Sequence, residues 1–328
     1  MKLDPERKAI LVTGASGFVG RYVLQELLKS QFQSYQVISC DRSGDGFQGI
    51  PHVSLDLTDF TAIEETVKQI KPVSVVHLAA IALPSAARDN SAMAWTLNFG
   101  ATLALAQALV NYAPDARFVF ASSSEVYGES FREKSAPIDE ETPLKPRNVY
   151  AATKAAAELA LLQLGYDGLD VVCFRSFNHC GKGQDPAYVV SSFASQLAEI
   201  RAGKKDKVIK VGNLEAARDF LDVRDVARAY TVAATRQSND FSKADRVFNL
   251  SSGTPRKISN VLDRLIELFE VDVRIEQEVS RLRGNEVMSA SGDPSRAKRT
   301  LGWVPEYSFD ETLRTVVDDW GNRVSSND

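Results

Sequence analysis

The chain has 328 residues, of which 44% are hydrophobic and 25% are charged, and its formal net charge at pH 7 is −4. This length provides one large or two ordinary domains with a substantial apolar core, and the charge gives no sign of a nucleic-acid partner. The three cysteines form no CxxC pair, so we expect a reducing, cytoplasmic setting and neither a disulfide framework nor a metal site. No apolar run approaches the roughly 20 residues needed to cross a bilayer, so we expect no membrane partner. The charged start MKLDPERKAI lacks the apolar core of a signal peptide.

Apolar runs alternate with helical patterns through the first half of the chain. In chain order, strands are predicted at KAILVTG, YQVISCD, HVSLDL, VSVVHLAA, RFVFASS and LDVVCFRSF, with helices between most of them. This alternation predicts an α/β fold with a Rossmann-like, doubly wound parallel sheet. The second half mixes helices, short strands and turns, which predicts a smaller mixed α/β domain partly interleaved with the first. We assign residues 1–174 plus about 219–252 to the first domain, and about 175–218 plus 253–328 to the second.

Two predicted helices, at residues 99–110 and 155–164, are small or apolar nearly all round. A helix lying on a sheet needs only one apolar face. Burial of the outer face as well predicts a partner subunit, and we expect a homodimer formed through these helices. The alternative is an insertion that covers both helices.

A glycine motif follows the first strand and opens the first helix. In VTGASGFVG, the glycines Gly14, Gly17 and Gly20 form GxxGxxG, which lets backbone N–H groups approach a pyrophosphate at the helix start. Asp41 ends the second strand, where an acidic residue binds the adenosine ribose of a dinucleotide. A carboxylate there favours NADH, but the following Arg42 can accept the 2′-phosphate of NADPH, so both cofactors stay open. The alternative is an ordinary glycine-rich turn.

The segment DLTD follows the third strand and contains two further candidate cofactor residues. Asp56 and Leu57 are expected beside the adenine. A helix start capped by Thr58 or Asp59 in the same segment is fully compatible with this contact.

Hydroxyl, phenol and ammonium groups are expected to converge at the edge of the sheet. The serines Ser122, Ser123 and Ser124 follow the fifth strand, and Tyr150 and Lys154 share one face of the next helix. Tyrosine titrates near 10, and the positive charges of Lys154 and of a nicotinamide ring are expected to lower that pKa. Tyr150 would then exchange a proton with the substrate while a serine orients it. For any one serine, the alternative is capping of the strand end.

The motifs GxxGxxG, HLAA, SSSEVYG, YxxxK and GDPSRAKRTLGW together resemble the extended short-chain dehydrogenase/reductase family over essentially the whole chain. The resemblance implies an NAD(P)-dependent enzyme whose catalytic residues are Ser123, Tyr150 and Lys154. It places His77 along the cofactor. The other cofactor contacts that it implies are Ser16, Phe18, Val19, Leu78, Ala79, Ala80, Asn98, Tyr150 and Lys154, besides the residues named above.

The segments RSFNHCGKGQ and VGNLEAARDFLDVRDV are similar to the branch of this family that acts on GDP-mannose-derived sugars. RLRGNEV resembles its nucleotide clamp R-P-x-E-V, with Gly284 in place of the proline. The substrate contacts that the resemblance implies are Ser123, Asn178, Val189, Asn213, Leu214, Arg218, Arg283 and Glu286. The alternatives are a surface ion-pair lattice of Arg218, Asp219, Asp222, Arg224 and Asp225, and a solvated basic turn at Arg281 and Arg283.

The reaction implied by this resemblance is reduction of the C4 ketone of GDP-4-keto-6-deoxy-D-mannose to GDP-D-rhamnose by NADPH or NADH. Glu125 also permits the dehydration of GDP-mannose, because a glutamate at this place removes the C5 proton in the dehydratases. The glycine motif, the Asp-Arg end of the second strand and the compact chain favour the reductase. An epimerase ranks third. A nucleotide-sensing regulator is the alternative from another class, and the intact Ser123–Tyr150–Lys154 set argues against it.

Overall fold

The computed structural model describes residues 4, 7–42, 46–47, 49–134, 137–236, 246–281 and 287–326. Within these residues, seven strands form one parallel sheet. They are β1 (Lys8–Thr13), β2 (Tyr35–Asp41), β3 (His52–Ser54), β4 (Ser74–His77), β5 (Arg117–Ala121), β6 (Asp170–Ser176) and β10 (Val247–Leu250). The sheet order is β3-β2-β1-β4-β5-β6-β10, so the order reverses between β1 and β4. A ligand crevice is expected at this reversal, outside the carboxyl ends of the strands.

Helices cover both faces of this sheet. The helices of the described residues are α1 (Phe18–Leu27), α2 (Phe60–Ile70), α3 (Pro84–Asp89), α4 (Ser91–Ala94), α5 (Thr102–Tyr112), α6 (Ser130–Glu133), α7 (Val149–Tyr166), α8 (Val189–Arg201), α9 (Val223–Thr235), α10 (Ile258–Phe269), α11 (Ser295–Leu301) and α12 (Phe309–Ser325). One core joins the sheet to α2, α5 and α7, and a second joins it to α1, α9 and α11. Because both faces are covered, β4 is buried along its whole length. The predicted Rossmann-like fold is confirmed.

A continuous helical stretch runs from Ser91 to Tyr112 and includes a π-helical segment at Trp95–Ala101. Its 22 residues are long and apolar enough to cross a membrane by length and composition alone. The expectation that no apolar run approaches this length is therefore wrong. In the fold, the stretch lies beside α2 and α7 and buries Leu105 and Leu109 against the sheet. A core helix packed in this way has the same composition.

A second, smaller unit is built around α8, α10 and α12, which share one apolar core. Its strand β9 (Ala217–Asp222) pairs with β7 (Asn178–Cys180), β11 (Pro255–Lys257) and β13 (Ser289–Ala290), while β8 (Val208–Val211) pairs with β12 (Arg274–Gln277). Ala297, Leu301 and Trp303 pack in the core of the large sheet, although their segment was predicted to belong to the second domain. The predicted boundaries between the two domains stay a prediction.

Candidate active site

The glycine loop between β1 and α1 packs closely against the loop that follows β4. Gly14 has a φ of +68°, and a Cβ there would lie 2.7 Å from the backbone nitrogen of Ala79. A Cβ on Gly20 would collide with the carbonyl oxygen of Gly14. Among the described residues, no side chain caps the start of α1 at Gly17, so its first N–H groups can meet an anion. This loop fits the pyrophosphate of a dinucleotide.

The end of β2 meets the glycine loop directly. The backbone N–H of Ser16 donates to Asp41 Oδ2 at 2.7 Å, and Arg42 is exposed beside it. Partial burial raises the pKa of Asp41, and the hydrogen bond from Ser16 opposes this shift. Phe18 and Val19, in the first turn of α1, are half-buried at the same edge. The residues predicted to hold the ribose and the diphosphate are thus brought together.

The segment after β3 forms the capped start of α2 that the sequence analysis described. Asp56 Oδ1 accepts hydrogen bonds from the backbone and the side chain of Thr58, at 2.9 and 2.8 Å, and these bonds lower the pKa of Asp56. Asp59 caps α2 by accepting from Ala62 N at 3.0 Å. Leu57 is buried in the sheet core. Asp56 is exposed, so its contact with the adenine stays a prediction, whereas the side chain of Leu57 is committed to packing.

His77 is buried beneath the crevice instead of lining it. Its Nδ1 lies 2.7 Å from Thr13 Oγ1 and its Nε2 lies 3.0 Å from Thr102 Oγ1. Burial lowers the pKa of His77 to about 3, so the ring stays neutral. The next three residues, Leu78, Ala79 and Ala80, are half-buried at the edge of the sheet.

Asn98 lies within the π-helical segment and is fully buried. Its amide accepts from Ile81 N at 2.8 Å, and donates to Ile81 O at 3.2 Å and to Thr153 Oγ1 at 3.1 Å. The side chain therefore joins the loop after β4 to α7. Direct contact with a cofactor, as predicted for Asn98, would require this network to open. The structure gives Asn98 a supporting position.

Three predicted catalytic residues meet at the carboxyl end of β5. Tyr150, in the first turn of α7, shares a hydrogen bond with the Ser123 side chain. Lys154 lies one turn further along α7 and is 2% exposed. Its Nζ donates to Ala121 O at 2.7 Å and lies 4.8 Å from the centre of the Phe120 ring.

The three consecutive serines, Ser122 to Ser124, make different contacts. Ser123 turns toward Tyr150, and its Oγ also accepts from Glu125 N at 3.2 Å. Ser122 Oγ donates instead to Glu158 Oε2 at 2.6 Å, inside the protein. Ser124 is buried in the short 3₁₀ helix that follows. Ser122 therefore makes a buried side-chain contact and does not act as a cap. Ser123 caps the short 3₁₀ helix and is also the serine that the fold brings to the site.

The pKa values of the catalytic pair differ from the expectation. Burial raises the pKa of Tyr150, the charge of Glu125 adds to this shift, and the Ser123 hydrogen bond opposes it. Burial lowers the pKa of Lys154 to about 7. Lys154 does not oppose this shift in the structure, because its amine is directed at a backbone carbonyl. The expectation that Lys154 and a nicotinamide ring together lower the pKa of Tyr150 stays a prediction. A tyrosine with a raised pKa remains a proton donor at neutral pH.

Glu125 and Tyr188 complete the wall around Tyr150. Glu125 Oε2 accepts from Asn148 Nδ2 at 2.7 Å. Tyr188, which precedes α8, is 36% exposed and interacts electrostatically with both Tyr150 and Glu125. The sequence analysis missed Tyr188, because no motif surrounds it and only the packing of the second unit brings it to the site.

The predicted substrate residues lie on the second unit. Asn178 is exposed at the start of β7, and Val189 is half-buried at the start of α8. Asn213 Oδ1 accepts a hydrogen bond from Glu215 N at 3.0 Å. Leu214 packs on the core of the second unit. Arg218 Nη1 donates to Ala217 O at 2.8 Å. Because β7 pairs with β9, Asn178 and Arg218 belong to neighbouring strands. Arg283 and Glu286 lie outside the described residues.

Three aspartates near Arg218 are buried, so they do not lie on the surface, but two of them form ion pairs. Asp222 pairs with Arg224 at 2.8 Å and Asp225 with Arg228 at 2.7 Å, so the alternative of an ion-pair lattice is correct in part. Asp219 accepts from the backbone N–H groups of Ser252 and Gly253, at 2.8 and 2.9 Å. Asp222 caps α9, and Asp225 accepts from Glu306 N at 2.9 Å. These carboxylates organise loops within the fold.

An aromatic contact joins the glycine loop to the predicted diphosphate segment. The rings of Phe18 and His179 are stacked, with centroids 6.2 Å apart and an interplanar angle of 4°. Tyr22 OH donates to Lys182 O at 2.7 Å nearby. His179 directly follows Asn178, so the candidate cofactor and substrate segments touch each other.

Comparison with known proteins gives a family match, a similar relative and two similar solved structures. Residues 11–316 match the family model described as GDP-mannose 4,6 dehydratase. The GDP-6-deoxy-D-mannose reductase of Pseudomonas aeruginosa is 34% identical over 317 residues, which cover 96% of this chain and 98% of that protein. Two solved structures are similar over 96% of this chain and 99% of theirs. They are RMD from Pseudomonas aeruginosa complexed with NADPH, with a TM-score of 0.80 and 30% identity, and the UDP-glucose 4-epimerase of Thermotoga maritima with UDP-glucose, with a TM-score of 0.84 and 26% identity.

Proposed function

The chain belongs to the GDP-mannose 4,6-dehydratase family, and on this premise we propose that it reduces the C4 ketone of GDP-4-keto-6-deoxy-D-mannose to GDP-D-rhamnose. The observation that carries this proposal is the meeting of Tyr150, Ser123 and Lys154 at the carboxyl end of β5. The 34% identity to a GDP-6-deoxy-D-mannose reductase over nearly the whole of both chains supports the choice of substrate.

NADPH or NADH supplies the reducing equivalents for C4 when it is bound. The close packing of Gly14 against Ala79 and the uncapped start of α1 fit the pyrophosphate, and Asp41 with Arg42 would hold the adenosine ribose. NADPH in the related structure from Pseudomonas aeruginosa supports a role for Arg42 at a 2′-phosphate.

Tyr150 donates the proton that the C4 oxygen needs as it becomes a hydroxyl. Burial keeps the pKa of Tyr150 above its usual range, so the phenol is in the donor form at neutral pH. Ser123 orients the same oxygen and stabilises the phenolate left behind through its hydrogen bond. Lys154, whose pKa is about 7, can hold or release a proton behind the site at neutral pH.

The unit built on the seven-stranded sheet would bind NAD(P), and the unit built on α8, α10 and α12 would bind the nucleotide sugar. The exposed Asn178 would contact the diphosphate, since it lies beside the glycine loop through the Phe18–His179 stack. Asn213 and Arg218 would contact the guanosine end. Val189, Leu214, Arg283 and Glu286 stay predictions as further substrate contacts.

Dehydration of GDP-mannose is the second candidate, and Glu125 is the observation that favours it. Its carboxylate lies close enough to Tyr150 to raise the pKa of the phenol. The two reactions separate in one experiment, in which the purified protein is given the keto sugar with NADPH or NADH, and GDP-mannose without added cofactor. Consumption of reduced cofactor only with the keto sugar supports the reductase. Conversion of GDP-mannose without net consumption would establish the dehydratase instead.

We also propose a homodimer in the cytoplasm. Leu159 of α7 is 60% exposed and Val110 of α5 is 42% exposed, and these neighbouring helices present an apolar face. The three cysteines are buried and unpaired, which suits a reducing compartment. Replacing Leu159 by glutamate should convert the dimer to a monomer in light scattering. A mass equal to that of the wild type would exclude this face as the interface.

A further inference from the structure

The side chain of Asn148 makes two hydrogen bonds that point in different directions. Its Oδ1 accepts from Ala151 N at 2.8 Å and caps α7, two residues before Tyr150. Its Nδ2 donates to Glu125 Oε2 at 2.7 Å. One amide thus fixes the start of the catalytic helix and one oxygen of the Glu125 carboxylate. Both residues are half-buried at the wall of the candidate site.

The position of Glu125 makes an unwanted reaction possible in a reductase, namely removal of the C5 proton of the substrate. Tyr150 faces the C4 oxygen in the proposed reaction, and Glu125 interacts with Tyr150 electrostatically. C5 is bonded directly to C4, and its C–H bond is acidic because the neighbouring C4 is a ketone. A carboxylate that reaches C5 would take this proton and leave an enolate. Reduction needs no such step.

We propose that Asn148 is a specificity-determining positioning residue that restrains Glu125. Its amide holds the carboxylate against the start of α7, so that the other oxygen accepts a sugar hydroxyl and the C5 proton stays in place. A bond that donates to a carboxylate is weakened when that carboxylate takes up a proton, so the same contact disfavours proton abstraction. This inference rests on the proposed function and adds a residue that controls its outcome.

The variant Asn148→Ser separates the two bonds of this side chain. Serine is also a strong helix N-cap, so α7 keeps its capped start, but the donor that reaches Glu125 is lost. Asn148→Asp is the second variant, because aspartate also caps and has the same length, yet it places a carboxylate where the donor was. Both variants should unfold in a single cooperative transition with the m-value of the wild type, at a somewhat lower midpoint because the hydrogen bond to Glu125 is lost.

The test measures exchange of the C5 proton of GDP-4-keto-6-deoxy-D-mannose in D₂O, by mass spectrometry, without reduced cofactor. We expect both variants to exchange this proton roughly tenfold faster than the wild type or more, since a charge-assisted hydrogen bond is lost. With NADPH present, KM for the keto sugar should rise in both while kcat changes by less than about threefold. Adding Glu125→Gln to either variant should remove the gain in exchange.

The outcomes are separable. If the wild type does not reduce the keto sugar, the proposed function is wrong. If it does, but the variants exchange the C5 proton no faster than the wild type, the restraint by Asn148 is excluded. A gain that survives Glu125→Gln would assign the exchange to another base and would also overturn the inference.

Discussion

Lys154 is a buried amine, and its burial predicts a specific dependence of stability on pH. The side chain is 2% exposed, and its Nζ donates to Ala121 O. No carboxylate forms an ion pair with it among the described residues. Burial lowers its pKa from 10.5 to about 7. Replacing Lys154 by methionine keeps a long apolar stem and removes the titrating group, so it isolates this effect.

The sign follows from proton binding. Between pH 7 and 10.5 the unfolded chain holds a proton on Lys154 that the folded chain has released. The free energy of unfolding therefore rises with pH through this window, and below pH 7 the full cost of burying the charge is present. One pH unit corresponds to about 1.4 kcal/mol, so raising the pH from about 7.5 to 9.5 should stabilise the wild type by roughly 2–3 kcal/mol relative to Lys154→Met.

The assay is urea unfolding of both proteins at three pH values between 7.5 and 9.5. Burial raises the pKa of Cys40 to about 12, and other buried groups also titrate in the alkaline range. Those groups are common to both proteins, so the difference between the two free energies reports Lys154 alone. Parallel pH dependences would refute the reasoning and would mean that Lys154 keeps an ordinary pKa in the folded state.

Three further substitutions, with Gly203→Ala as a matched control for the first, test the site and its support. Gly14→Ala should weaken NADPH binding by about 100-fold or more in a fluorescence titration, because its Cβ would strike the loop after β4. Gly203→Ala has a similar positive φ but open space around it, and should leave binding unchanged. Tyr150→Phe should abolish turnover while the dissociation constants of NADPH and GDP stay within about threefold, and retained activity would exclude Tyr150 as the proton donor. Arg175→Met should lower the free energy of unfolding by about 3–5 kcal/mol, since it leaves the fully buried Glu158 without the partner that now lies 2.6 Å away. A loss below about 1 kcal/mol in urea unfolding would show that Glu158 is not held as an ion in the folded protein.

Short-range patterns were sufficient to predict the parallel sheet and the glycine loop. Apolar runs such as β1 alternate with helices. Gly14 has a φ of +68°, and a Cβ on Gly20 would meet the backbone of the same loop, so both glycines answer to local geometry. Tyr150 and Lys154 are four residues apart on one helix, so their shared face follows from helical geometry.

The side-chain contacts that depend on long-range packing could not be predicted from the sequence patterns. Ser122 and Ser123 are adjacent, yet one turns to Glu158 and the other to Tyr150. The direction of the shift in the pKa of Tyr150 depends on its burial, which no motif encodes. The hydrogen bond between Asn148 and Glu125 spans 23 residues of sequence and depends on how α7 meets the end of β5.

The most direct test of the account uses NADPH that carries deuterium at both nicotinamide C4 positions, together with GDP-4-keto-6-deoxy-D-mannose and the purified protein. We expect one GDP-D-rhamnose for each NADPH consumed, with a single deuterium at C4 of the sugar, and no product from Tyr150→Phe. Product without deuterium at C4, or deuterium at another carbon, would contradict reduction of the C4 ketone at this site.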